Sequence, residues 1–124
     1  TVNDWVASRL NSGTSPATKE QKQERPPVSH PLVRTHPVTG EKSLYLGVHV
    51  SHIEGISPAE STALLAELTR HIGEERFTYT HLWRAGDVVM WDNRCLHHRA
   101  LDNYDIAAHP RELNRTVIVG SRPA

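Results

Sequence analysis

With 124 residues the chain is sized for one domain with a modest core, and its apolar share of 37% lies below that of a typical compact domain. Fourteen basic residues balance fourteen acidic ones, which excludes the global field that draws a protein to nucleic acid or to an anionic membrane. No apolar run approaches the roughly 20 residues of a membrane span, no signal-peptide pattern is present, and a single cysteine, Cys95, excludes an intrachain disulfide framework; a reducing compartment, the cytoplasm, is the expectation.

The opening Thr1-Val2-Asn3-Asp4-Trp5 has the look of a helix end cut from something longer. Residues 11 to 29 (NSGTSPATKEQKQERPPVS) are polar and Pro-containing without apolar periodicity, which predicts a loop or mobile linker. Next come two X-Pro pairs, His30-Pro31 and His36-Pro37, which favour extended backbone. Val38-Thr39-Gly40-Glu41 follows as a turn and Ser43 to Val48 as a strand, so the region predicts a hairpin-like β unit.

Ser57-Pro58-Ala59-Glu60 is a helix start. Ser57 can cap, Pro58 suits the first helical position and Glu60 completes a capping box. Leu64, Leu65, Leu68 and Ile72 recur at helical spacing and predict a stripe covering one side of a sheet, with Gly73 as the stop. After Gly73 the period changes to two. Phe77, Tyr79, His81 and Trp83 alternate with Thr78, Thr80 and Leu82, predicting a strand. Arg84 to Asp87 is a turn, and Val88 to Trp91, Cys95 to Ala100 and Thr116 to Val119 are further strand candidates. Several strands, one helix and long loops fit an α+β or mainly β domain.

The chemistry-bearing residues cluster late in the chain. Imidazole is a versatile metal ligand, and His97 and His98 are adjacent; neighbours on a strand point to opposite faces, so at most one of the two enters a given pocket. Arg111 and Arg115 are spaced to share a face in extended backbone, and a guanidinium grips a carboxylate or sulfonate through paired hydrogen bonds. Cys95 beside two histidines suggests a nucleophile, yet a lone thiol more often packs as a small hydrophobe.

These pieces, taken in order, match a family. His30 to Gly40, Trp83-x-x-Gly86-Asp87-Val88, Trp91-Asp92-Asn93-Arg94 with His98, and Arg111-x-x-x-Arg115 together resemble the iron- and 2-oxoglutarate-dependent dioxygenases typified by taurine dioxygenase and 2,4-dichlorophenoxyacetate dioxygenase, the TauD/TfdA family. The likeness runs from about His30 to Gly120, and Gly47 to Ile53 and Val89 to Cys95 look nearer the herbicide-degrading branch.

The resemblance implies the C-terminal part of a double-stranded β-helix, a jelly roll with one covering helix, with 1–29 as truncated helix end and linker and 30–124 as part of the dioxygenase domain. It implies Fe(II) held by a facial triad, with His98 as the distal histidine and its ring turned inward toward both guanidinium groups. It further implies 2-oxoglutarate held by Arg111, the anionic primary substrate held by Arg115, and Trp91 close to the metal and substrate. Asp92, Asn93 and Arg94 would fix the loop that presents His98. The His-x-Asp pair of that triad is expected upstream of His30 and is not found there; His52-Ile53-Glu54 has the local spacing but the wrong place. The resemblance thus implies a portion of a longer, cytoplasmic, homo-oligomeric enzyme acting with O2 on a small anionic molecule (an aryloxyalkanoate, a related carboxylate, an alkyl sulfonate or sulfate), and inactive in isolation. A non-catalytic, partner-binding jelly roll is the competing expectation.

Overall fold

The computed structural model describes residues 1–11, 15–105, 107–109 and 112–120, with residues 10 and 11 described in backbone only. Among the described residues, two small antiparallel sheets, three α-helices and one 3-10 turn make up the regular structure. The first sheet has the order β2-β1-β5, formed by β1 (Val2–Asn3), β2 (Val28–Ser29) and β5 (Val50–His52). The second is the hairpin β3 (Val33–Thr35) and β4 (Lys42–Leu44), in the register Val33↔Leu44, Arg34↔Ser43 and Thr35↔Lys42. The expected hairpin is therefore present, with a shorter second strand than Ser43 to Val48. Gly40 sits in its turn at a φ of 74°, a conformation that costs a residue with a Cβ.

The N-terminal expectations need correction. The first residues are a strand: Val2 pairs with Ser29 and His52. A helix then starts here rather than ends, because the Asp4 carboxylate accepts the Ala7 N–H at 2.9 Å and so caps α1 (Trp5–Asn11). Inside the expected linker lies α2 (Lys19–Glu24), with a reciprocal Thr18–Gln21 capping box. A polar helix started by a capping box carries no apolar stripe, which is why composition alone predicts a loop here. Trp5 gathers this region by lying under the Arg25 and Arg9 guanidinium groups, 4.5 and 4.9 Å from its ring centroid.

The main helix is as predicted. α3 (Pro58–Ile72) begins with the Ser57–Glu60 capping box and ends at Gly73. Its packing is not. Leu65, Leu68 and Ile72 are half-buried and Leu64 is exposed. The residue that docks the helix is Ser61, 2% exposed, whose Oγ accepts the Ile53 N–H at 2.8 Å beside β5. Leu46 is the apolar member of the buried set.

Beyond α3 the predicted strands are overturned among the described residues. A 3-10 turn occupies Glu75–Phe77, and neither the Phe77–Trp83, Val88–Trp91, Cys95–Ala100 nor Thr116–Val119 segment joins a sheet. Alternation specifies a surface with two unlike faces; it does not supply the neighbouring strand that a ladder needs. Val88 at 95% and Val119 at 93% exposure show that these segments lack that neighbour. The turn between two of them does form: Asp87 N–H donates to Arg84 O at 3.1 Å with Gly86 at a φ of 92°, a type II arrangement that favours glycine. No helix among the described residues is long and apolar enough to cross a membrane.

Candidate functional site

The stretch from Trp91 to His98 is a loop moored to the β3–β4 hairpin at three points. The His36 ring meets Asp92 (Nε2 to Oδ2, 3.3 Å), Ser43 Oγ donates to Arg94 O at 3.2 Å, and His97 Nε2 lies 3.1 Å from Leu44 O. A carbonyl oxygen only accepts, so His97 carries its proton on Nε2 and spends it on the hairpin. Within the loop, Asp92 Oδ1 accepts the Arg94 backbone N–H and Nε, each at 2.9 Å, and Oδ2 takes the guanidinium as well. The Arg94 guanidinium first, then its backbone N–H, hold the Asp92 carboxyl well below the usual carboxylate range.

His36 is the one buried titratable member of this arrangement, at 8% exposure. Its Nδ1 accepts the backbone N–H groups of Val38 and Thr39, at 3.3 and 3.1 Å. That leaves the proton on Nε2, where it points at Asp92.

This bonding decides the status of a suggestive cluster. His36, Asp92 and Cys95 bring potential ligand atoms within 4.8 Å of one another. Both His36 nitrogens are already engaged, however, and Asp92 is saturated by Arg94. A cation there would have to break this network, so the cluster is read as a brace. Cys95 is exposed, with its thiol 3.8 Å from Asp92 O, rather than packed in a strand as expected.

His98 differs from its neighbour. Neither of its ring nitrogens has a hydrogen-bond partner among the described residues, and one face lies against Trp91, with centroids 4.6 Å apart and planes tilted by 48°. The Trp91 indole N–H is in turn fixed on Asn93 Oδ1 at 2.8 Å. A metal ligand needs one free ring nitrogen, and the His98 ring, packed on Trp91, offers one. The chain therefore fits Fe(II) through one donor, and no second donor with open coordination atoms stands beside it among the described residues. The ring is exposed, not enclosed in a barrel.

Arg115 is exposed and has no ionic partner among the described residues. Arg111 lies outside the described residues. His52 and Glu54 do not form a ligand pair: His52 Nδ1 lies 2.9 Å from Ser51 Oγ and Glu54 accepts from Ser29 Oγ at 2.6 Å. His49 is spent on Ser8 Oγ at 2.7 Å. His36, named above only for its X-Pro pair, is the site residue that sequence reasoning missed. Its contact spans 56 positions, and the only local hint is a histidine followed by Pro-Val-Thr-Gly, where a ring acceptor can close the turn.

The geometry thus places Trp91 and His98 together on a loop moored to a small hairpin. Residues 1–117 match the model of the taurine catabolism dioxygenase TauD, TfdA family; the chain belongs to that family. It is 48% identical over 115 residues to the alpha-ketoglutarate-dependent 2,4-dichlorophenoxyacetate dioxygenase of Burkholderia sp. (strain RASC), covering 93% of this chain and 38% of that protein. It is 43% identical over 94 residues to the alpha-ketoglutarate-dependent sulfate ester dioxygenase of Pseudomonas putida, covering 76% and 31%. Among solved structures it is similar to AAD-2 in complex with Mn(II) and N-oxalylglycine, with a TM-score of 0.69 and 42% identity over 76% of this chain and 37% of that one. The chain thus spans less than two fifths of the length of the relatives it matches.

Proposed function

We propose that this segment is the C-terminal part of a jelly-roll, Fe(II)- and 2-oxoglutarate-dependent dioxygenase that hydroxylates a small anionic substrate. The observation that carries the reading is His98 packed on Trp91 with both nitrogens open, whereas His97 is tied to the hairpin through Nε2 and His36 has both nitrogens engaged. The similarity to proteins named for aryloxyalkanoate and sulfate ester substrates supports an aryloxyalkanoate, a related carboxylate, or a sulfonate or sulfate ester. Similarity to a chain crystallised with Mn(II) and N-oxalylglycine, an analogue of 2-oxoglutarate, supports the metal and co-substrate. The other two protein donors come from outside the described site, and the complete enzyme works in the cytoplasm as a homo-oligomer.

Bound Fe(II) supplies oxygen activation, coupled to conversion of 2-oxoglutarate and O2 to succinate and CO2 while one oxygen atom enters the substrate C–H bond. His98 donates one ring nitrogen to the metal, and Trp91 restricts how far the ring turns. Arg111 forks around the far carboxylate of 2-oxoglutarate, and Arg115 holds the substrate anion so that the reactive carbon faces the metal. Such aim is worth much: a misplacement near 1 Å costs around a hundredfold in rate.

The test is succinate formation by the complete protein with Fe(II), 2-oxoglutarate, O2 and a panel of aryloxyalkanoates, alkyl sulfonates and sulfate esters. Succinate released in step with hydroxylated product from one of these classes is the expected result. A protein that holds iron and 2-oxoglutarate but turns over none of them contradicts the substrate assignment, and one that holds neither contradicts the enzyme assignment.

A further inference from the structure

We infer that His36 is a positioning residue for His98, a latch that acts through Asp92 to hold the loop against the hairpin; this rests on the reading of His98 as a metal ligand. The geometry is directional. Two backbone N–H groups of the hairpin turn fix Nδ1, so the ring is oriented by the hairpin and not by the loop. Its remaining donor, Nε2–H, then reaches Asp92 Oδ2 at 3.3 Å. Asp92 organises its own loop by gathering the Arg94 backbone N–H and guanidinium. The Arg94 carbonyl is tied back by Ser43, and His97 by Leu44.

The consequence is that a buried imidazole transmits the hairpin's position to a loop whose last residue carries the open ring. Beside it the loop is held by Ser43 on Arg94 O and by His97 on Leu44 O. Asn93, Cys95, Leu96, His97 and His98 are exposed, and no strand pairing holds them. Of the three moorings, the one at His36 is made by a buried side chain, and its loss leaves the loop to Ser43, His97 and the Asp92–Arg94 pair.

Two substitutions in the complete protein separate the halves of the latch. In His36→Asn the amide oxygen replaces Nδ1 as the turn acceptor, in the manner of an Asx turn, but the side chain is too short for Asp92. In His36→Gln the amide nitrogen takes the place of Nε2 and keeps the Asp92 bond. Two readouts are used: the Trp91 indole N–H resonance of the metal-free protein, and the affinity for Mn(II) alone.

The expected result is a displaced Trp91 resonance and an Mn(II) affinity lower by about tenfold or more in His36→Asn, the range typical for groups that orient a ligand, with both largely restored in His36→Gln. A Trp91 resonance at the wild-type position in His36→Asn, or equal losses of affinity in both variants, overturns the inference. Absence of Mn(II) binding by the wild-type protein overturns the ligand reading instead, and the metal-free resonance tells the two failures apart. Should His36→Asn fail to fold, Asp92→Ala removes the loop's half of the same contact. It is expected to lower Mn(II) affinity by about tenfold or more, and a wild-type Mn(II) affinity is the overturning result.

Discussion

The Trp91 indole packs against the His98 imidazole at 4.6 Å between centroids, while its own N–H is tied to Asn93. The indole is thereby a fixed wall for a ring whose nitrogens remain open. An aromatic contact of this kind is worth about 0.5–1.5 kcal/mol. Trp91→Ala in the complete protein is expected to weaken Mn(II) binding by roughly two- to tenfold, and Trp91→Phe to recover most of it. Titration of the metal-free protein with Mn(II) checks this.

Ser61 is the most buried side chain described, and its hydroxyl satisfies the Ile53 N–H. Ser61→Ala leaves that donor without its acceptor and is expected to cost about 1–3 kcal/mol. Ser57→Ala removes the α3 cap instead and is expected to cost about 1 kcal/mol. Denaturant unfolding of the two variants gives the ranking, Ser61→Ala being the more damaging.

Asp92 titrates below the ordinary carboxylate range because Arg94 binds its ionised form. The stabilisation is therefore complete above the unfolded-state value, about 4, and fades as acid protonates the folded carboxylate below it. Asp92→Asn is expected to remove this part of the acid dependence, flattening the loss of stability between about pH 5 and about pH 2 relative to wild type. Thermal unfolding across that interval is the measurement.

Arg111 and Arg115 carry different anions in this account. Arg111→Ala should raise the KM for 2-oxoglutarate with Mn(II) affinity little changed, and Arg115→Ala should raise the KM for the primary substrate. Equal effects of both substitutions on both constants would contradict the division of labour.

What could be read in advance divides along physical lines. The Ser57-Pro58-Ala59-Glu60 start of α3 and the β3–β4 hairpin are local: their caps and turn residues are contiguous, and both formed. The alternation from Phe77 to Trp83 was equally clear as a pattern, but a strand needs a partner, and none stands beside it among the described residues. The reverse happened at α2, where one reciprocal capping box starts a helix without any apolar stripe. At the site, strand geometry allowed only one of His97 and His98 into a pocket and the resemblance implied His98; what the sequence did not carry is the bond of His97 Nε2 to Leu44 O, 53 positions away. The His36–Asp92 bond was invisible for the same reason: it depends on the fold bringing two distant segments together.

The central claim is that His98 is a metal ligand and His97 is not. Mn(II) titration of the complete protein, comparing His98→Ala with His97→Ala, tests it most directly. The account predicts that His98→Ala abolishes measurable binding, while His97→Ala, which only loosens one mooring on Leu44, costs no more than about tenfold. Retention of wild-type Mn(II) affinity by His98→Ala would contradict it.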